Sequence, residues 1–397
     1  MSTSVSHVTK EAALSKREIK KVITASLASR LIVFFSAISG SSLFGVRQAL
    51  PGEGQLWDIG LPVVNLFSRW DAGHYLSIAL NGYMSGFQGP LPEWAFFPLY
   101  PMVMRGAGFP LTLLVSPSEA AIIAGFFVSN SLFFLTVVYF YKLSKIVLLN
   151  EKLALLSILF FVLWPGSLFY SCVYAEALFM FLTILSLYFL EKNRTTFATI
   201  SGFLSGWTRP NGFLIAIPFI YTAIGAKKRL LYIQSIIVAL PYMLFNLYGL
   251  AVTGIFPIRE WVITKYWPGS TSIIFVEFLN LSIGYQMLVM MELALAVLPY
   301  LYFLISKNML KSIFSFGTKE GNREAKYYAF TLPLLILTVF YGGISNVHRY
   351  VVALIPMYWG LAKFGKDNEM IRTTIVALLS TILVIGSILF STYRWYL

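Results

Sequence analysis

The chain has 397 residues, of which 58% are hydrophobic and only 12% charged, and its mean hydropathy is +0.74. In soluble proteins about a quarter of residues are charged, so this composition excludes a soluble enzyme or binding module and identifies a membrane protein. The net charge of +13 does not mark a nucleic-acid partner, because the lysines and arginines sit mostly in short gaps between apolar runs, where they set topology.

At roughly 20 residues per crossing of about 30 Å of hydrocarbon, this length allows around ten spans. The apolar segments recur throughout, so residues 1–397 read as a single integral membrane domain with no soluble domain appended. The single cysteine, Cys172, excludes an internal disulfide and a cysteine-based zinc site.

Residues 1–21 are polar and end in a basic cluster, Lys10, Lys16, Arg17, Lys20 and Lys21, which the positive-inside rule keeps cytoplasmic. A first span over about 22–46 then exits outward and reads as a retained anchor, since no small-residue cleavage signal follows it. Arg30 interrupts that span and either snorkels to the cytoplasmic surface or reaches a substrate phosphate.

Residues 47–118 form the longest region not dominated by uninterrupted apolar sequence, and span counting makes them an extracytoplasmic loop. They hold the densest chemistry of the chain, Arg69-Trp70-Asp71-Ala72-Gly73-His74-Tyr75, followed by Asn81-Gly82-Tyr83. The stretch 90–101, with Glu93 and Trp94, is too proline-rich for a regular spanning helix. It reads as an aromatic segment at the membrane interface, suited to lining a lipid access path.

A second span is uncharged over 120–141, and a third over 153–175 is kinked or ended early by Trp164-Pro165-Gly166. A fourth begins near Glu176 and finishes at Glu191-Lys192-Asn193-Arg194. The block 195–226 has basic flanks on both sides, which one crossing cannot satisfy. Thr208-Arg209-Pro210-Asn211-Gly212 at its centre predicts two short helices meeting at an outside turn, on the side of Asp71. Further spans follow at about 230–250, before Ser306, at 327–345, before Lys363 and at 373–393, with an outside loop over 251–280 and a tight outside turn at Asn346-Val347-His348-Arg349. The expectation is an all-α polytopic membrane protein with about 11 transmembrane or half-membrane helices, and no internal repeat.

This topology gathers Arg69, Asp71, His74, Glu93, Arg209, His348 and Arg349 on one face of the membrane. Asp71 and His74, three apart, share a helix face if a helix starts near Trp70, and Asp71 is then also placed to cap it. A metal is admissible at that spacing but not favoured, since only Glu93 and His348 remain as further ligands. Arg209 and Arg349 either satisfy carbonyls and lipid headgroups or hold a phosphorylated substrate. Trp70, Trp94, Trp261 and Trp267 read as interfacial belt residues, with stacking on a sugar as the sharper alternative. Glu176 is either a surface acid or a partner for an arginine.

At these residues the chain resembles the PIG-V type of GPI mannosyltransferase 2, within the GT-C superfamily of glycosyltransferases that use polyprenyl-phosphate sugars. The resemblance runs in order through Arg69-Trp70-Asp71-Ala72 with His74 and Gly82-Tyr83, Ala95-Phe96-Phe97-Pro98 with Pro101, Ala175-Glu176-Ala177-Leu178-Phe179 after Pro165 and Ser167, and Arg209 with Asn211-Gly212. His348-Arg349-Tyr350 followed by Pro356-Met357-Tyr358-Trp359 matches more loosely. The resemblance implies a GT-C fold with a large first extracytoplasmic loop. It also implies transfer of mannose from dolichyl-phosphate mannose to a hydroxyl of a glycolipid or glycan, with inversion, on the lumenal or outer face.

An inverting displacement at an anomeric carbon needs a base at the attacking hydroxyl and stabilisation of the leaving phosphate. Asp71 suits the first role and Arg209, Arg349 and His348 the second, with Arg69, Trp70, His74, Glu93 and Asn211 as further substrate-binding candidates. No cofactor is expected. The partners implied are a lipid-linked sugar donor, a glycolipid or glycan acceptor and membrane lipids, with room for a small membrane partner subunit and no nucleic acid. The membrane is that of the endoplasmic reticulum in a eukaryote and the cytoplasmic membrane in a prokaryote. The rival class, a transporter or lipid flippase, usually has polar groups on broken helices at mid-membrane in repeated halves, whereas here the spans are nearly free of charge.

Overall fold

A computed structural model describes residues 14–47, 59–83, 85–86, 89–90, 92–254, 256–257, 282–306, 309–314, 323–341 and 347–394. Local signals start the long helices. α1 (Lys16–Phe44) opens with a reciprocal capping box between Ser15 and Glu18. α5 (Pro117–Leu148) opens with another between Ser116 and Glu119, with proline in its first turn. Between them, in the predicted loop, lie α2 (Pro62–Leu66), α3 (Ala72–Asn81) and α4 (Leu99–Gly108), with a hairpin pairing Ser85 to Pro90 and a 3-10 turn over Pro92–Ala95. The proline-rich stretch is thus a turn that leads into a short helix.

α6 (Glu151–Leu163) stops at Trp164, and the next six residues, Pro165–Tyr170, form a 3-10 turn before α7 (Glu176–Glu191) begins. Of the two outcomes expected at Trp164-Pro165-Gly166, the chain ends the helix. The predicted hairpin is present as α8 (Thr195–Gly206), a 3-10 turn over Pro210–Ile215 and α9 (Ala216–Ala226). Gly212 serves there through close approach: a Cβ on it would lie 2.6 Å from Gly206 Cα.

α10 (Arg229–Thr253), α11 (Ile283–Ser306), α12 (Met309–Phe314), α13 (Ala325–Tyr341), α14 (Val347–Tyr350), α15 (Ile355–Gly365) and α16 (Glu369–Ser391) complete the described helices. The expected turn at 346–349 is thus helical from Val347.

Among the described residues, α1, α5, α10, α11 and α16 are long and apolar enough to cross a membrane, and the protein is a multi-pass membrane protein. The other expected spans are occupied by the shorter α6, α7, α8, α9, α13 and α15. α7 has 16 residues, about 24 Å at 1.5 Å per residue, which falls short of the hydrocarbon thickness.

The bundle is wrapped around the join between α6 and α7. Residues 160–180 are buried without exception, with α5 and α8 packed on α7, α15 on α6, and α16 on the Pro165–Tyr170 turn. The 69–83 motif lies against this join, where the Val173 amide donates to the Phe67 carbonyl at 3.0 Å. Ion pairs stand at the far end of the bundle. Glu191, at the end of α7, meets Lys326 at 2.6 Å, and Lys145 meets Glu18 at 2.5 Å.

Candidate active site

Four charged side chains from four separate segments form one alternating array. Arg349 donates from Nε to Glu176 Oε1 and from Nη1 to Asp71 Oδ2. Arg209 donates from Nη1 to the same Glu176 oxygen at 2.5 Å. The order is therefore Asp71, Arg349, Glu176, Arg209, with formal charges that cancel. Glu176 and Arg349 are buried, at 2% and 7% side-chain exposure, whereas Asp71 keeps 25%. Asp71 is the member that solvent or a substrate reaches.

Each member is placed by its local fold. Glu176 is the first residue of α7, at the end that favours negative charge. Arg209 is extended, at φ −152° and ψ 150°, because proline follows it. Asp71 directly precedes α3 but makes no side-chain cap bond, so the capping expectation is corrected: its carboxylate is turned to Arg349 instead. The turn is made at Trp70, whose φ of +54° is rare for a residue with a side chain and costs about 1–3 kcal/mol. Flat stacking of Trp70 on Tyr393, 4.1 Å between centroids with 2° between planes, holds it there.

Tyr174 closes the frame from behind. Its hydroxyl donates to the Arg69 carbonyl at 3.0 Å and accepts from the Asp71 amide at 3.2 Å. Its ring lies 4.6 Å from the Arg349 guanidinium, while Tyr350 covers Arg209 at 5.3 Å. Burial alone would lower the pKa of Arg349, but Glu176 and Asp71 outweigh it and hold the group well above its usual value. A narrow crevice, no wider than a water molecule, opens on Glu176, Arg209, Asn211, Arg349 and Tyr350, with Phe179 and Met180 in its wall.

The other predicted residues are distributed more widely. His74 stacks on Phe96 at 4.8 Å and points Nδ1 at Glu93, 3.8 Å away, so it is paired away from Asp71 although both lie near the start of α3. His74 draws the Glu93 carboxyl below its ordinary pKa, against burial. Arg69 is buried, and its carbonyl accepts from the Tyr174 hydroxyl that meets the Asp71 amide. Trp94 is completely buried, packed with Tyr83 and Phe245, which corrects the interfacial reading. Trp261 and Trp267 lie outside the described residues, as does the side chain of His348. Among the described residues no three His, Cys, Asp or Glu side chains come together as metal ligands.

Two members were absent from the predicted substrate-binding set. Glu176 was visible only as an isolated acid with arginine pairing as one of two readings, and Tyr174 carries no signal that separates it from other aromatics in an apolar run. A second, roomier groove of about 350 Å³ runs along the far half of α3 between Tyr83, Met102, Arg105, Trp207, Phe245 and Tyr248.

The family model described as mannosyltransferase (PIG-V) matches residues 53–249. Over this stretch, just under half of its length, the chain is similar to the PIG-V mannosyltransferases. The stretch contains Asp71, Glu176 and Arg209, and Arg349 lies beyond it. A similar relative is GPI alpha-1,6-mannosyltransferase 2 of Rattus norvegicus, 34% identical over 157 residues, which are 38% of this chain and 30% of the rat protein. GPI mannosyltransferase 2 of Cryptococcus neoformans is 24% identical over 396 residues, covering 87% of this chain and 90% of that protein. Among solved structures, the archaeal oligosaccharyltransferase AglB from Archaeoglobus fulgidus, in complex with an inhibitory peptide and a dolichol-phosphate, is similar with a TM-score of 0.49 and 12% identity. That match covers 96% of this chain and 56% of AglB.

Proposed function

We propose that this protein is a PIG-V type, GT-C glycosyltransferase that moves mannose from a polyprenyl (dolichyl) phosphate to a hydroxyl of a glycolipid or glycan, on the extracytoplasmic face. The observation that carries the reading is the partly exposed Asp71 at the end of an Arg349–Glu176–Arg209 array whose hub, Arg349 with Glu176, is buried, because transfer to a hydroxyl needs a base beside fixed positive charge. In this reading the acceptor oxygen bonds to C1 of mannose from the face opposite the phosphate. Its proton passes to Asp71. The bond from C1 to the phosphate oxygen breaks, its electron pair stays on the phosphate, and Arg349 and Arg209 meet that charge where preorganised donors are worth most.

Arg349 occupies Asp71 in the structure. A donor phosphate competes for the same guanidinium, so its arrival frees the carboxylate to take a proton. The groove along α3 suits a lipid chain. Ile78, in its wall, is seven residues past Asp71, about 10 Å along a helix. In this reading the two guanidiniums supply the positive charge at the phosphate.

The test is purified protein in lipid nanodiscs with polyprenyl-phosphate mannose and candidate glycolipid acceptors, followed by mass analysis. Acceptors gaining one hexose support the reading. Failure of every acceptor, together with no binding of the donor, would sink it.

A further inference from the structure

Arg30 has no part in that mechanism, and neither fate expected from the sequence applies to it. It is 3% exposed and points inward from the middle of α1. Nη1 donates to the Ser167 carbonyl at 2.9 Å and to Ser171 Oγ at 2.8 Å, and Nη2 donates to Ser29 Oγ at 2.9 Å and Ser167 Oγ at 3.0 Å. The guanidinium carbon also lies 4.0 Å from the Phe133 ring centroid. Every hydrogen-bond partner among the described residues is neutral.

The three hydroxyls are set up for this. Ser29 and Ser167 both give their protons to the Val162 carbonyl, at 2.6 and 2.8 Å, and Ser171 gives its proton to Asn130 Oδ1 at 2.8 Å. Their lone pairs are thereby left facing the guanidinium. Among the described residues no acid pairs with it, and a charge buried in a membrane protein without a counter-charge is costly to keep and marks function more often than packing. What it fastens is the turn at 165–171. The chain leaves that turn through Cys172 and Val173 and reaches Tyr174 and Glu176, which hold Asp71 and Arg349.

We propose that Arg30 is a positioning residue: it pins the turn at 165–171 to α1 and so sets Tyr174 and Glu176 in the register that builds the charged array. A planar fork with several donors is required, because acceptors on two sides of the turn are held at once. Only the kinetic part of the test below rests on the transfer reading. The structural part does not.

The sole cysteine supplies the readout. Cys172 directly follows the turn and is fully buried. Arg30→Met keeps much of the volume, and each serine hydroxyl keeps its own acceptor, so the variant is expected to fold as a monodisperse protein. Its alkylation by N-ethylmaleimide in nanodiscs should be at least tenfold faster than in the wild type. Arg30→Lys, with one cation and fewer fixed donors, should fall between them. In mannose transfer, kcat of Arg30→Met should drop at least tenfold with the donor KM near its wild-type value. If Arg30→Met aggregates, Ser171→Ala removes a single acceptor and is read for the same two quantities, with a smaller rise and drop expected. A folded variant that alkylates at the wild-type rate overturns the proposal, as does faster alkylation with unchanged kcat. If the wild type transfers no mannose, the transfer reading fails, and the alkylation rates alone decide whether Arg30 holds the turn.

Discussion

Arg349 and Asp71 are 278 positions apart in the chain and are joined by a charge-assisted hydrogen bond, and the same guanidinium reaches Glu176 through its other edge. One planar group thus connects the solvent-accessible acid to the buried one. That arrangement gives the acids different jobs and makes them separable by experiment.

Asp71 should be dispensable for folding and needed for turnover. It makes no helix-cap bond, and asparagine keeps an oxygen for Arg349. Asp71→Asn should elute as a monodisperse protein and bind donor, with turnover lowered by roughly 10²-fold or more, the usual loss of acid–base assistance. Near-normal turnover in the folded variant would remove the base assignment.

Glu176 should be needed for both. Replacing it with glutamine leaves Arg209 and Arg349 buried with Asp71 as their single acid in the array. Breaking a buried pair in this way costs about 3–5 kcal/mol. Glu176→Gln should therefore show a clearly lower Tm as well as lost transfer, and a wild-type Tm would contradict the hub role.

The two arginines should respond differently to lysine. Arg349 uses two nitrogens on two acids, and Arg209 uses one on one. A lysine has a single nitrogen to offer, so Arg349→Lys should retain less than a tenth of wild-type kcat/KM for donor while Arg209→Lys retains more. Equal losses would argue that bridging is unimportant.

Glu93 gives a pH signature. Its folded pKa is depressed, first by His74, so its contribution is fully present above the ordinary glutamate value of about 4.3. That contribution is lost as pH falls through the lower folded value. The Tm difference between wild type and Glu93→Gln should be constant from pH 5 to 6 and shrink below about pH 4. A difference unchanged to pH 3.5 would mean that the ionised pair with His74 contributes nothing.

Sidedness can be tested in a Cys172→Ala background. Residue 210 belongs to the pole that carries Asp71, and Lys142 to the pole of Glu18 and Glu191. Single cysteines at 210 and 142 should label from opposite sides of sealed vesicles, and labelling of both from one side would break the assigned topology.

The helices were legible because each apolar run is bounded by basic residues, prolines or capping serines, which act locally. The hairpin at 208–212 was legible for the same reason, although Gly212 turned out to serve packing. Arg209, Arg349 and Asp71 could be assigned to one face, but their partner Glu176 could not be chosen, since an acid beside an apolar run looks the same whether it meets lipid headgroups or guanidinium. Arg30 was misread because its acceptors are serines and a carbonyl up to 141 positions away, with no charge to advertise them. The centrality of 160–180 was hidden too: in a membrane protein both lipid-facing and buried surfaces are apolar, so hydrophobicity stops reporting depth.

The alternating array also has a history in synthesis. Its members leave the ribosome in the order Asp71, Glu176, Arg209, Arg349. A nascent chain made as far as α10 therefore holds two acids against one cation, and becomes neutral there only when the segment carrying Arg349 arrives. The half-made protein carries a surplus negative charge where the array will form, which must stay hydrated or shielded by the insertion machinery. Completion of the chain extinguishes that signal, so a quality-control factor that senses unpaired charge within the membrane could tell an unfinished copy from a finished one before any substrate is bound.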